Sequence, residues 1–205
     1  MAKLDSSLKN MILSLLFISM GMSAALGFVY NLTKDPIAAA NKAKEVNAVK
    51  DVLPPFNNDP TTEVKNIENL AFYPATMDGK PIGCAVKTYT EKGYSGRFDL
   101  MVGFLPDGKI NNIVVLEQKE TPGLGTKMKE PKFRNQFNAL DIGSLQNKEV
   151  KVKKDGGSID AISAATISSR AFCDGVQKAY NLYMKNFAPD SPVVNDTTMT
   201  KGGIK

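Results

Sequence analysis

The sequence predicts an α+β protein with a single N-terminal transmembrane helix followed by one folded domain. Three observations carry that reading. Residues 11–30 form an uncharged apolar run, residues 82–117 hold alternating apolar segments divided by turn residues, and residues 172–187 place apolar side chains at helical spacing. Strands that precede and interleave with few helices define the α+β class. A length of 205 residues suits one ordinary domain with accessories.

The span comes first. Met11 to Tyr30 (MILSLLFISMGMSAALGFVY) is twenty residues without a charge, bracketed by Lys9 and Lys34. At about 1.5 Å per residue that is roughly 30 Å of helix, the thickness of a hydrocarbon core. The rival is a cleaved signal peptide, with Lys3 and Lys9 in its basic region and Ser23-Ala24-Ala25 as the cleavage site. The apolar run continues past that site through Leu26, Phe28 and Val29, which favours a retained anchor. Orientation is not set by charge: Lys34, Lys42, Lys44 and Lys50 outnumber the two lysines on the N-terminal side.

Asp35-Pro36 reads as a helix start, a capping carboxylate followed by proline in the first turn. Ile37, Ala40, Ala43, Val46, Val49 and Leu53 then recur at helical spacing until Pro54-Pro55. Residues 54–62 read as a linker. Strands are expected at Ile82–Thr90 after the Asp78-Gly79 turn, at Phe98–Phe104, and at Ile110–Glu117. Pro106-Asp107-Gly108 joins the last two as a hairpin, proline presetting the turn and glycine taking its left-handed position. A short helix over Lys129–Leu140 and a strand over Glu149–Lys153 follow. The final helix presents Phe172, Val176, Ala179, Tyr183 and Phe187 and stops before Pro189. The expected organisation is therefore a short cytoplasmic N-terminus (1–10), a transmembrane helix (11–30), a juxtamembrane helix and linker (31–62), a folded domain (63–188) and a disordered tail (189–205).

Composition removes several kinds of chemistry. With no histidine there is no imidazole base and no His-ligated zinc or haem. Cys84 and Cys173 are too few for a four-thiolate zinc or iron–sulfur site, and they leave the redox compartment undecided. Of the formal charge of +5, Lys3, Lys9 and Lys34 against Asp5 account for +2, leaving +3 on the remainder. A nearly balanced domain gives no support to nucleic-acid binding. The mean hydropathy of −0.20 averages an apolar span with a polar domain and describes neither.

Three segments could carry chemistry. Asp160-Ala161-Ile162-Ser163-Ala164-Ala165-Thr166-Ile167-Ser168-Ser169 leads into the last helix, where free N–H groups suit a phosphate, or where the hydroxyls simply form an N-cap cluster. Glu120-Thr121-Pro122-Gly123-Leu124-Gly125-Thr126 is either a compact loop whose backbone approaches a flat ligand or a plain connection. Gly93-Tyr94-Ser95-Gly96 is a glycine-rich turn with an aromatic of either kind. The basic run Lys148, Lys151, Lys153, Lys154 with Arg170 either attracts an anion or forms a solvated face.

Taken in order, GYSG, a hairpin, ETPGLG and then D-x-x-S-x-A-T before an amphipathic helix closely resemble the RnfG family. That is the flavin-bearing member of the Rnf electron-transport complex. The resemblance runs from the membrane segment to about Phe187. The sister family NqrC, from the sodium-pumping NADH:quinone reductase, shares ETPGLG and the later motif, whereas GYSG and the compact length look more like RnfG.

The resemblance implies an FMN-binding domain with antiparallel sheet and packed helices over 63–188. It implies FMN linked through its phosphate to Thr166 by a dedicated flavin transferase. Asp160, Ser163 and Ala165 match flanking motif positions, and Ala164 departs from the family's usual glycine. Glu120, Thr121, Pro122, Gly123, Leu124 and Gly125 would lie against the isoalloxazine. It further implies a membrane-anchored redox subunit of an ion-translocating ferredoxin:NAD+ oxidoreductase, partnered by other membrane and redox subunits. The flavin domain would face the periplasmic side of the inner membrane. No catalytic acid or base and no metal are expected. The rivals are the NqrC role and an anchored module that stays unflavinylated.

Overall fold

Helix α1 (Leu8–Val52) runs without a break through Pro36. The computed structural model describes residues 7–187, and the tail expected at 189–205 lies outside them. A fresh helix start at Asp35-Pro36 is thus not what forms. Proline cannot donate to the carbonyl of Leu32, four residues back, a defect of about 3 kcal/mol. Ala38, Ala39, Ala40 and Ala43 follow it, the best helix formers, and they carry the helix onward. Among the described residues, α1 is the one helix long and apolar enough to cross a membrane.

Contacts divide the chain after Lys44. The second unit begins at Glu45, so it takes in the last turns of α1 and the 54–62 stretch that reads as linker. Five antiparallel strands then pair strictly in chain order: β1 (Lys65–Ile67), β2 (Leu70–Met77), β3 (Lys80–Gly93), β4 (Gly96–Phe104) and β5 (Ile110–Glu117). The last three match the sequence expectation, and β1 and β2 add to it. Pro74 masks β2 in the sequence. It is tolerated because β1 covers only Leu70 to Phe72, leaving Pro74 on the open edge. The 57–58 stretch covers that edge: Asn57 N donates to Thr76 O at 3.1 Å, and Thr76 N donates to Asn58 Oδ1 at 2.9 Å.

Turn chemistry sets this meander. Asp78 and Gly79 both take positive φ, 51° and 77°, as the twist of a two-residue hairpin demands. Gly108 (φ 84°) closes the Pro106 turn, its N–H donating to Leu105 O at 2.9 Å. Two later expectations are corrected. Residues 149–153 form no strand: they make one isolated bridge, Val152 to Ile159, and then enter a 3-10 turn at Lys153–Asp155. Residues 129–140 are interrupted, because Pro131 starts a new turn and Ala139 takes a left-handed φ of 57°. What forms is α2 (Pro131–Arg134), flanked by 3-10 turns at Gly125–Lys129 and Asn135–Phe137.

The sheet is covered on both faces. Helix α3 (Thr166–Asn186) lays Phe172, Val176, Ala179 and Tyr183 against Val86, Leu100, Val102 and Phe104. Phe104 stacks on Tyr183 with ring centroids 4.7 Å apart. The opposite face receives Val49 and Val52 from the end of α1, packed with Ala85, Met101 and Leu116. Gly103 permits that seat, since a Cβ there would fall 2.0 Å from Val52 O. Asn111 Nδ2 donates to Val52 O at 2.8 Å and Asn112 Nδ2 to Asp51 O at 2.9 Å, satisfying carbonyls the helix end leaves unpaired.

Candidate functional site

Asp99 pairs with Glu117, so the turn after β3 and the loop after β5 leave the sheet at the same end. Both meet the start of α3 at Glu120, a carboxylate only 4% exposed. Its Oε1 accepts from Ser95 N at 3.2 Å, and its Oε2 accepts from Ser168 Oγ at 2.8 Å. One buried side chain therefore ties GYSG, ETPGLG and α3 together. The glycines leave it room. A Cβ on Gly93 would lie 2.6 Å from Glu120 Oε1, and one on Gly125 would lie 2.6 Å from Oε2 and 2.7 Å from Ser168 Oγ.

Around this knot opens a cleft of about 470 Å³, within the usual range for small-molecule sites. Glu120, Thr121, Leu124, Gly125, Ala165 and Thr166 line it as expected, and Tyr94, Ala164, Ile167 and Ser168 join them. Tyr94 (70% exposed), Ile167 (50%) and Leu124 (39%) are the exposed large hydrophobics among the described residues from Glu45 onward, and all three line this cleft. Surface apolar side chains gathered in one concavity mark a binding site for an apolar face.

Not every expected residue arrives there. Pro122 and Gly123 are exposed and do not line it, and Gly123 N donates to Thr126 Oγ1 at 3.0 Å. Asp160 and Ser163 line a neighbouring cavity of about 340 Å³ with Phe133 and Gln136. Asp160 is held there: its N–H donates to Gln136 Oε1 at 2.7 Å and its carboxylate pairs with Lys153 at 2.8 Å. In the sequence, Ser168 and Ile167 stand out only as part of the helix-entry motif. Their place in the cleft follows from helical spacing after Thr166, a signal the sequence does carry.

The α3 entry is pinned from beneath. Buried Ser169 Oγ donates to Ala165 O at 2.9 Å and accepts from Ile162 N at 2.9 Å. Ala164 takes a left-handed φ of 60°, the conformation in which glycine is favoured and L-alanine is strained. No side chain caps the helix. The first helical bond is Ser169 N to Ala165 O at 3.0 Å, so the N–H groups of Thr166, Ile167 and Ser168 precede it at the positive end of α3. Thr166 is half-buried at the cleft, and its Oγ1 accepts from Lys154 Nζ at 3.4 Å.

The remaining chemistry is quiet. Cys84 and Cys173 are free and buried, and burial pushes both thiols up to about 12. Neither supplies a thiolate at neutral pH. Among the described residues no group of three or more His, Cys, Asp or Glu could hold a metal ion. The site thus offers shape, apolar contact, a helix N-terminus and the hydroxyls of Tyr94, Thr121, Thr166 and Ser168.

Residues 93–181 match the FMN-binding domain family, a span containing every residue that lines the cleft. The chain is 30% identical over 191 residues to the G component of the ion-translocating oxidoreductase complex of Aliivibrio fischeri, covering 87% of this chain and 91% of that one. It is 33% identical over 183 residues to the corresponding G component of Haemophilus influenzae, covering 84% and 88%. Among solved structures, the C component of a Na+-translocating NADH-quinone reductase from Parabacteroides distasonis aligns at 27% identity and a TM-score of 0.47, over 57% of this chain and 61% of that one.

Proposed function

The chain belongs to the RnfG family, the G component of ion-translocating oxidoreductase complexes, and on that premise we propose that it is the membrane-anchored, FMN-carrying electron-transfer subunit of an Rnf-type complex, with FMN esterified to Thr166. The observation that carries this reading is the coincidence, in one cleft, of the Thr166 hydroxyl, an uncapped helix N-terminus and the exposed trio Tyr94, Leu124 and Ile167. An amphipathic ligand with a flat apolar end and a phosphate end fits that polarity.

Bound FMN would supply the uptake and release of electrons. The protein's residues do the rest. Leu124, Ile167 and Tyr94 would give the ring an apolar surface, and the N–H groups at the start of α3 would hold the phosphate. Thr166 is an attachment point with no acid–base role, which accords with a chain devoid of histidine. Alone the subunit has no dinucleotide-binding fingerprint, so NAD+ chemistry belongs to its neighbours in the complex. A flavin transferase acts during maturation, and the flavin domain faces the periplasm, as the family resemblance implies. The RnfG relatives favour the Rnf role over the NqrC one.

Intact mass of the full chain, produced beside a flavin transferase, tests the attachment. One FMN, absent from Thr166→Ala together with its in-gel fluorescence, is the expected result. An unmodified wild-type chain would leave an anchored assembly module as the better reading.

A further inference from the structure

Four basic side chains crowd the entry to α3, and three are neutralised by carboxylates: Lys151 by Glu149 at 2.6 Å, Lys153 by Asp160 at 2.8 Å, and Arg170 by Asp155 at 2.6 Å. Lys154 forms no ion pair with the described residues. Its ammonium reaches the neutral hydroxyl of Thr166 instead, at 3.4 Å. A cation at the positive end of a helix, bonded to a hydroxyl and sharing the Asp155 carboxylate with Arg170 and Lys151, is an electrostatically incomplete arrangement. An anion on that hydroxyl would complete it.

The placement of Lys154 is built by the fold. It stands on the Lys153–Asp155 3-10 turn, which Gly156 closes with a left-handed φ of 81°. Arg170, in the second turn of α3, grips both oxygens of Asp155, Nε at 2.7 Å and Nη2 at 2.6 Å. Such a fork-to-carboxylate pair fixes orientation as well as distance. Below the turn, Gly157 lies so close to the preceding chain that a Cβ would fall 2.0 Å from Lys151 O. Lys153 N donates to Ile159 O at 2.8 Å, and Ile159 N to Lys151 O at 3.1 Å. The 153–155 turn and the start of α3 are therefore one assembly.

Resting on attachment at Thr166, we propose that Lys154 is the phosphate-binding cation of the site and that the Asp155–Arg170 pair is its positioning element. The ligand class is a phosphodiester monoanion on Thr166. Lys154 donates a charge-assisted hydrogen bond to a free phosphate oxygen, and no bond is made or broken. The basic run that reads as a solvated face in the sequence thus contains one residue of different standing.

The test is ³¹P NMR at neutral pH on the full-length flavinylated chain in detergent, comparing wild type with Lys154→Arg, Lys154→Met and Asp155→Asn. Lys154 and Asp155 are at the surface, and far-UV circular dichroism matching wild type checks that each variant folds. The phosphodiester resonance is expected to be displaced in Lys154→Met, to stay near the wild-type position in Lys154→Arg, and to move toward the Lys154→Met position in Asp155→Asn. A Lys154→Met resonance coincident with wild type overturns the proposal while leaving the attachment intact. A displaced Lys154→Met resonance with Asp155→Asn unmoved upholds the lysine and overturns the positioning role. A wild-type chain whose mass lacks FMN removes both readings together.

Discussion

Ser168 Oγ donates to Glu120 Oε2 at 2.8 Å across 48 residues of sequence, and both side chains are buried. This bond joins the loop after β5 to the first turn of α3, and Ser95 N completes the carboxylate's set at 3.2 Å.

Removing the carboxylate should cost more than removing either partner. Hydrogen bonds to a charged group contribute about 1.5–3 kcal/mol each, and a buried donor left unpaired costs further. Glu120→Ala is expected to lower unfolding stability by about 3 kcal/mol, and Ser168→Ala by about half that. Urea midpoints of the full chain in detergent measure both. An unchanged midpoint in Glu120→Ala would show that the three segments are held together by something else.

The glycines around Glu120 should differ sharply in tolerance. At Gly125 an added methyl meets Glu120 and Ser168 below 3 Å, whereas at Gly123 it meets open space. Gly125→Ala is expected to cost about 2–3 kcal/mol by overpacking. Gly123→Ala should cost about 1 kcal/mol, from its positive φ alone. Equal losses in the two variants would contradict the close packing of the cleft floor.

Ala164 points the other way. It holds a left-handed φ of 60°, a conformation that strains L-alanine by about 1–2 kcal/mol. Ala164→Gly relieves that strain and is expected to stabilise the chain by about 1 kcal/mol, raising Tm by about 2–4 °C. A lower Tm would mean that the entry loop gains more from a fixed backbone than from an unstrained one.

Alkaline stability should track the two buried thiols. Burial holds Cys84 and Cys173 at about 12 in the fold, against 9.0 for a free thiol. Between those values the folded state binds more protons than the unfolded one, so stability falls as pH rises. The contribution is intact below pH 9, and its loss reaches about 1.4 kcal/mol per pH unit for each thiol. Urea midpoints at pH 8 and pH 10.5 should separate in wild type and separate less in the Cys84→Ala/Cys173→Ala double variant, the remainder belonging to the phenols of Tyr73, Tyr180 and Tyr183, which burial also pushes up. Thiol reagents at pH 8 should label the chain only after unfolding.

What could be read from the sequence divides along physical lines. β3 to β5 and α3 were legible because alternation, the Pro106-Asp107-Gly108 turn and the Phe172-Val176-Ala179-Tyr183 stripe are local signals. β2 was hidden by Pro74, whose tolerance depends on an edge visible only once β1 is seen to be short. The 149–153 segment has strand composition but lacks a neighbouring strand to pair with. In the candidate site, Glu120 and Thr166 belong to motifs legible in the sequence, yet the buried contact that unites their segments spans 48 residues and leaves no local trace. Asp160 and Ser163 share the motif with Thr166 and still face a different cavity. The standing of Lys154 emerges only when the carboxylate partners of its neighbours are known.

The meander also has a consequence in time. Each strand pairs with the one made just before it, so the sheet can assemble from contacts local in sequence. Helix α3 is the late arrival: Thr88 Oγ1 waits for Gly175 O, 87 residues downstream. The cleft has no wall at Thr166 until that docking is done.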